Sequence, residues 1–369
     1  MDDIFQNRIT RLRQRIAEVN LDALLVSIDE NRRYLSGFTG EDTHFDESAG
    51  VLMITADRSI LATDSRFTLQ ARKEAPLFDI HQYEKGLAKE LPGLIARLDV
   101  SRIGFEDRRV SVFQHREMTR EASEQGLDAE FVPCEDLVEQ LRLIKDESEI
   151  ALTRKALSVA EAAFVETAGM LEPGMTEKEI AWNLEQTVRR SGGDTLSFPT
   201  IVASGPNSAL PHAVPGDRKI KSGEPILFDW GVRMDGYCSD TSRTLILGKP
   251  DDTFSTIHEI VRTAQRLAIA EIKPGAHGKA VDEIARTFIE DNGYKGKFGH
   301  GLGHGTGLAV HEGPRLSPLS TSILEPGMIV TVEPGIYIEK WGGVRIENQV
   351  VVREDGPEVL NRLDTRFGI

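Results

Sequence analysis

The sequence predicts two domains: an α/β domain over residues 1–143, then an α+β domain over residues 144–369 whose two halves repeat one another. Three observations carry this. Up to Leu143, short β-branched runs alternate with amphipathic helical patterns. Beyond Glu147, long helical patterns alternate with hairpin signals, the order of an α+β domain with helices backing a curved sheet. Within that second part, Leu171–Gly192 aligns with Ile272–Gly293 at a constant offset of 101, and each stretch is followed by a His-bearing segment and an acidic hairpin. A chain of 369 residues has the length for two cores.

In order along the chain, residues 4–20 place Ile4, Ile9, Leu12 and Ile16 on one helical face. Strand-like runs follow at Ala23–Ser27, Val51–Thr55, Ile60–Thr63, Phe78–Tyr83, Ile103–Glu106 and Glu130–Pro133. Helical patterns fall at Ser65–Glu74, Gly86–Leu98 and Ser111–Gln125, with Tyr34–Phe38 in the loop after the first strand. Cys134–Leu143 reads as a connecting helix. The second domain opens with a helix from about Glu147 to Met170, then a helix that Thr176 and Glu179 can cap reciprocally. Ser197–Ala203 reads as a strand leading into the loop 204–216, and Asp251–Ile272 and Gly278–Asp291 read as helices.

The chemistry concentrates in two hairpins. Ile226–Val232 and Tyr237–Leu247 join at Met234-Asp235-Gly236, Asp-Gly being a short-range hairpin signal. A turn centred on Met234-Asp235 sets Asp229 opposite Asp240; one centred on Asp235-Gly236 makes them diagonal neighbours on the same face. Gly327–Ile338 and Gly343–Val352 repeat the pattern about Lys340, with Glu333 and Glu347 facing. Adjacent carboxylates in a half-buried sheet resist ionisation unless a cation lies between them. Between the hairpins, Phe298–Pro314 has glycine at every second position from Gly299 to Gly307, so in an extended segment His300 and His304 project to one side. Carboxylates gathered near histidines make an oxygen-rich site suited to Mn²⁺, or to Co²⁺ and Zn²⁺ by availability.

Other classes find little support. A formal charge of −15 argues against nucleic acid or an acidic membrane surface as partner. Cys134 and Cys238 make no framework, which suits a reducing cytoplasm, and the charged N-terminus lacks an apolar signal region. No apolar run approaches membrane-spanning length. The sequence contains no HExxH, no G-x-S-x-G, no G-x-G-x-x-G dinucleotide loop and no P-loop.

The spacing Asp229, Asp240, His304, Glu333, Glu347, set in Gly303-His304-Gly305, Val332-Glu333-Pro334-Gly335 and Arg345-Ile346-Glu347, resembles the dinuclear metallopeptidases of the pita-bread fold. Within them it is most similar to Xaa-Pro aminopeptidases and prolidases, and the likeness covers the whole chain, including a creatinase-like N-terminal domain. The resemblance implies two divalent ions, one held by Asp229 and Asp240 and one by His304 and Glu333, with Asp240 and Glu347 bridging. A hydroxide between the ions would attack the scissile carbonyl, and Glu333 would relay a proton to the leaving nitrogen. His212 and His311 resemble the pair that contacts the substrate amide and stabilises the tetrahedral intermediate. His300 resembles a proline-pocket histidine, Tyr337 and Arg345 resemble orienting partners, and Arg315 is placed to meet a substrate carboxylate. The implied activity is removal of an N-terminal residue ahead of proline from a peptide substrate. Prolidase is the close alternative; a non-peptide C–N hydrolase or lyase, or a metal-free binding module, ranks lower. A cytoplasmic homodimer is the implied setting.

Overall fold

The computed structural model describes residues 2–42, 44 and 47–366. It divides into two compact units, Met1–Arg142 and Leu143–Ile369.

In the first unit, six strands form one sheet: β1 (Ala23–Val26), β2 (Val51–Thr55), β3 (Ser59–Thr63), β4 (Asp79–Gln82), β5 (Arg102–Glu106) and β6 (Glu130–Cys134), in the order β4-β3-β2-β1-β5-β6. Strand β2 runs antiparallel to β1 and β3, while β1, β5 and β6 are parallel. The central strands β1 and β2 are buried throughout, which explains their unbroken apolar runs. Two expectations are corrected here. Tyr34, Leu35 and Ser36 lie in a helix, Asp29–Ser36, not a loop; Gly37 at φ +79° ends it with a left-handed cap. Tyr34 and Phe38 are both core residues, and the Tyr34 hydroxyl donates to Leu141 O. The connecting helix is also shorter than its pattern suggested: Cys134 ends β6, and only Glu139–Arg142 is helical.

The second unit carries the repeat as two helix-backed cores. In the first half, helices Glu147–Ala168 and Glu177–Arg190 pack on a three-stranded sheet, Ile201–Ser204 against Pro225–Trp230 against Thr241–Ile246. Both helices open with complete capping boxes, Asp146 with Glu149 and Thr176 with Glu179. Phe228 and Trp230 are fully buried, each contributing ~1.5–3 kcal/mol of transfer free energy. Trp230 stacks on Phe164 at 4.3 Å, and its indole N–H donates to Ala160 O.

In the second half, helices Asp252–Ala270 and Gly278–Ile289 back a five-stranded sheet, ordered Glu312–Leu316, Gly303–Gly305, Ile329–Val332, Asn348–Arg353 and Gly356–Val359. The helix starts Glu177 and Gly278 keep the offset of 101 read from the sequence.

Hairpin strands expected to be continuous are interrupted, and the breaks fall beside the acidic residues. One separates Pro225–Trp230 from Val232–Met234, and one separates Tyr237–Cys238 from Thr241–Ile246 around Asp240. In the second hairpin, Glu333-Pro334 and Ile346-Glu347 interrupt the ladder. Backbone groups at the breaks bond across the halves instead: Glu347 N donates to Ser242 O, and Arg345 N and O both engage the Thr244 hydroxyl. The two hairpins therefore meet along Ser242–Thr244 and Arg345–Glu347, and the interrupted pleat lets each strand bend there.

Candidate metal centre and active site

The register of each hairpin decides where its carboxylates point. In the first, Asp235 and Gly236 both have positive φ, 49° and 86°, which is the type I′ requirement met by Asp-Gly. Met234 pairs with Tyr237 and Asp229 with Ser242, so Asp240 is the diagonal neighbour of Asp229. In the second, Val332 pairs with Asn348 and Gly335 with Arg345, which leaves Glu333 facing Glu347. His304 comes from the short strand Gly303–Gly305. A Cβ on Gly303 would lie 1.9 Å from Thr331 O, and one on Gly305 would lie 1.8 Å from Gly313 O. The alternating glycines thus let two neighbouring backbones close on this strand.

Asp240, His304 and Glu347 each offer a ligand atom within 4.8 Å of the other two. His304 Nε2 lies 3.6 Å from Asp240 Oδ2 and 3.4 Å from Glu333 Oε1. Burial, with His311 and Arg315 nearby, pushes His304 down to about 3, so the ring is neutral. Its Nδ1 faces Gly305 O at 3.1 Å and donates there, leaving the Nε2 lone pair aimed at two carboxylates. Three acceptors turned on one another need a shared cation, or a proton where none is bound. Asp229 Oδ1 and Glu347 Oε1 are buried with no hydrogen-bond partner, so they too await a positive charge.

The electrostatics agree. Burial, reinforced by Glu347, Asp229 and Glu333, pushes Asp240 well above the carboxylate range, and Glu347 rises for the same reasons. Burial lifts Glu333 to about 8 against the pull of Arg345. Arg345 is one fixed positive charge among four acids, and burial opposes its ionisation less than Tyr337, Asp229 and Glu333 favour it. Oxygen-rich donors, one neutral imidazole and unsatisfied buried oxygens fit a pair of divalent ions.

A cavity of about 560 Å³ opens over this cluster. Asp229, Asp240, His304, Glu333 and Glu347 line it together with His212, His300, His311, Arg315 and Arg345. Phe198, Pro199, Ile201, Ala213 and Val214 form an apolar wall. Among the residues singled out from the sequence, Tyr337 alone does not line the cavity. Its hydroxyl accepts from Arg345 Nη1 and donates to His300 Nε2, both at 2.9 Å, while His300 Nδ1 donates to Gly301 O. Burial keeps His300 neutral at about 4 and pushes Tyr337 to about 12. Arg345 further donates to Asp229 Oδ2 at 2.6 Å, to the Ser242 hydroxyl and to Pro211 O. It thereby ties the loop bearing His212 to the acidic cluster. His212, His311 and Arg315 are open to the cavity; its walls and Arg315 hold His311 below its ordinary pKa.

Several supporting residues escaped the sequence reading. Gln265 Nε2 donates to both Val332 O and Ile346 O at 3.0 Å, the carbonyls just before Glu333 and Glu347. The signal was a lone amide in the apolar stripe of Ile257, Val261, Ala264 and Ala268. Buried Glu177 accepts from Ser204 N, Asn207 Nδ2 and Gly216 N, pinning both ends of the His212 loop. Thr331 Oγ1 accepts from His304 N and donates to Glu333, and Ser242 donates to Glu347 Oε2. Hydroxyls in strands are too common for a sequence to single these out.

Comparison with known proteins agrees with this geometry. Residues 151–354 match the model of metallopeptidase family M24, and residues 8–144 match the creatinase/prolidase N-terminal domain. The chain is 32% identical over 364 residues to an Xaa-Pro dipeptidase of Pyrococcus horikoshii, covering 98% of this chain and 99% of the relative. Among solved structures it is similar to an Xaa-Pro dipeptidase from Bacillus anthracis, with a TM-score of 0.92, 38% identity, and 98% and 99% of the two chains covered. It is similar also to an X-Pro aminopeptidase from Thermotoga maritima, with a TM-score of 0.86, 38% identity, and coverage of 96% and 99%. A creatinase-type first domain, a pita-bread second domain and an acidic cluster with one histidine at the meeting of its halves make this chain a member of metallopeptidase family M24.

Proposed function

We propose that the protein hydrolyses the bond between an N-terminal residue and proline, and that its preferred substrate is the Xaa-Pro dipeptide. The observation that carries the reading is the buried acidic cluster with its neutral histidine under an apolar-walled cavity. Arg315 at that cavity supplies a counter-charge for a dipeptide's C-terminal carboxylate. The dipeptidase names of the Pyrococcus and Bacillus relatives support the same choice. The likeness to the Thermotoga aminopeptidase favours a second reading, in which longer peptides are trimmed one residue at a time.

In this reading Asp229, Asp240, His304, Glu333 and Glu347 would hold the divalent ions. Bound divalent ions supply a water acidic enough to act near neutral pH and polarise the scissile carbonyl. Glu333, beside the scissile bond, relays a proton to the leaving proline nitrogen. His212 and His311 donate to the substrate amide and to the oxygen that gains charge. Neutral His300, fixed by Tyr337, lies against the proline ring, while Arg345 orients Asp229 and Tyr337. Donor hardness supports manganese as the native ion, with Co²⁺ and Zn²⁺ as alternatives; the family resemblance supports a homodimer, and two free cysteines support a cytoplasmic setting.

The test is hydrolysis of Ala-Pro, Ala-Pro-Ala and Ala-Ala-Ala by metal-stripped protein resupplied with Mn²⁺. Metal-dependent cleavage of Ala-Pro alone supports the dipeptidase. Efficient cleavage of Ala-Pro-Ala after alanine moves the assignment to the aminopeptidase. Absence of turnover on all three, with ions bound, rejects a proline peptidase.

A further inference from the structure

Lys145 and Glu312 form a buried ion pair that no step of the proposed reaction uses. Lys145 Nζ lies 2.5 Å from Glu312 Oε1, and the two side chains are 1% and 8% exposed. The ammonium also donates to Leu143 O, and Lys145 N donates to Gly327 O at 2.9 Å, so the lysine is held at its backbone and at its tip.

Glu312 follows His311 and opens the strand Glu312–Leu316. The register jumps there: His304 faces Arg315, yet the next residue, Gly305, faces Glu312. Residues 306–311 therefore leave the sheet beside His304 and return at Glu312. Gly307 makes room for the pair inside that loop, since a Cβ on it would sit 2.4 Å from Glu312 Oε1 and 3.1 Å from Lys145 Cε. Cys238 N donates to Gly307 O at 2.8 Å and ties the loop to the strand that leads into Asp240. At the loop's end the His311 ring stands edge-on to the His304 ring, with centroids 4.3 Å apart.

Burying two ions is unfavourable, and an apolar pair of similar volume generally packs with equal or better stability. Stability therefore explains this pair poorly. What it adds is direction, because a buried carboxylate turns towards the ammonium buried with it, and that restrains the backbone one residue from His311. We propose that Lys145 and Glu312 are positioning residues for the peptidase reaction, holding the 306–311 loop so that His311 faces the substrate beside His304. The inference rests on the function proposed above for His311.

The experiment uses the full-length protein with Glu312→Gln and with the double substitution Lys145→Met/Glu312→Leu. The double variant removes both charges together, so its thermal midpoint stays close to that of the parent, whereas Glu312→Gln lowers it by stranding the ammonium. If the pair positions His311, the double variant loses at least ~10-fold in kcat on Ala-Pro while KM changes by less than about threefold. In metal-free protein, hydrogen exchange of the peptide covering 305–312 also rises, while that of the strand Ile329–Val332 does not. A double variant that recovers both the midpoint and full kcat overturns the proposal, as does unchanged exchange in 305–312. A parent inactive on every Xaa-Pro peptide rejects the proposed function instead, and the exchange result then judges the positioning by itself.

Discussion

Stripping the divalent ions makes stability depend on pH in a window where the loaded protein is insensitive. Glu333 is displaced by burial from 4.5 to about 8. Between those values the folded state binds more protons than the unfolded chain, so stability falls as pH rises. The contribution is complete below about pH 4.5 and lost as pH climbs through about 8. At 1.36 kcal/mol per pH unit the interval amounts to ~5 kcal/mol. Asp240 and Glu347, raised by the same causes, act in the same direction. For a unit of this size each kcal/mol moves the midpoint by ~2–4 °C, so the stripped protein loses ~10–20 °C across the window. Bound cations keep the carboxylates ionised and remove that slope, and ions at about a thousand times their dissociation constant add ~4 kcal/mol. The assay is calorimetry of stripped and Mn²⁺-reloaded protein from about pH 5 to about pH 8.5. Parallel midpoints for the two forms across the range would mean that the cluster ionises without a cation, and the electrostatic argument would be wrong.

Three further outcomes follow from particular contacts. Gly303→Ala forces a Cβ to 1.9 Å from Thr331 O, so the strand separates from its neighbour at a cost of ~3 kcal/mol or more. Activity disappears with it; denaturant unfolding that matched the parent would contradict this. Gln265→Leu removes the amide donor that Val332 O and Ile346 O share, costing ~1–3 kcal/mol. Calorimetric titration should show Mn²⁺ affinity weakened by ~10-fold or more, because the freed carbonyls adjoin Glu333 and Glu347. Arg315→Leu raises KM for Ala-Pro by ~10-fold or more with kcat little changed, and an unchanged KM removes Arg315 from substrate recognition.

The elements legible in the sequence were those whose cause is local. Asp-Gly at 235–236 marked the turn and put Asp229 and Asp240 on one face, the register then choosing the diagonal placement over the opposite one, and the pattern about Lys340 set Glu333 against Glu347. The repeat of Glu177–Arg190 in Gly278–Ile289 was legible because each helix needs its own apolar stripe. Tyr34 was misplaced because Asp29-Glu30-Asn31-Arg32-Arg33 looks solvated, although Asn31 and Arg32 are wholly buried. Both terminal nitrogens of Arg32 are held there by Asp29, Asp42 and two backbone carbonyls, partners no local pattern reveals. The breaks in the hairpin ladders were invisible for a related reason. They depend on Ser242 and Thr244 bonding to Glu347 and Arg345 from the other half.

Those cross-half bonds also order events in time. Asp229 and Asp240 lie in one hairpin, Glu333 and Glu347 in another about a hundred residues further on with His304 between, and Asp240, His304 and Glu347 converge only once the halves have met. Closing so long a loop comes late on a folding route, after each helix-backed half can assemble from nearer contacts. Ion capture is then a final latch and not a nucleus: adding Mn²⁺ leaves the refolding rate nearly untouched and slows unfolding, so the metal governs how long the native state lasts more than how fast it forms.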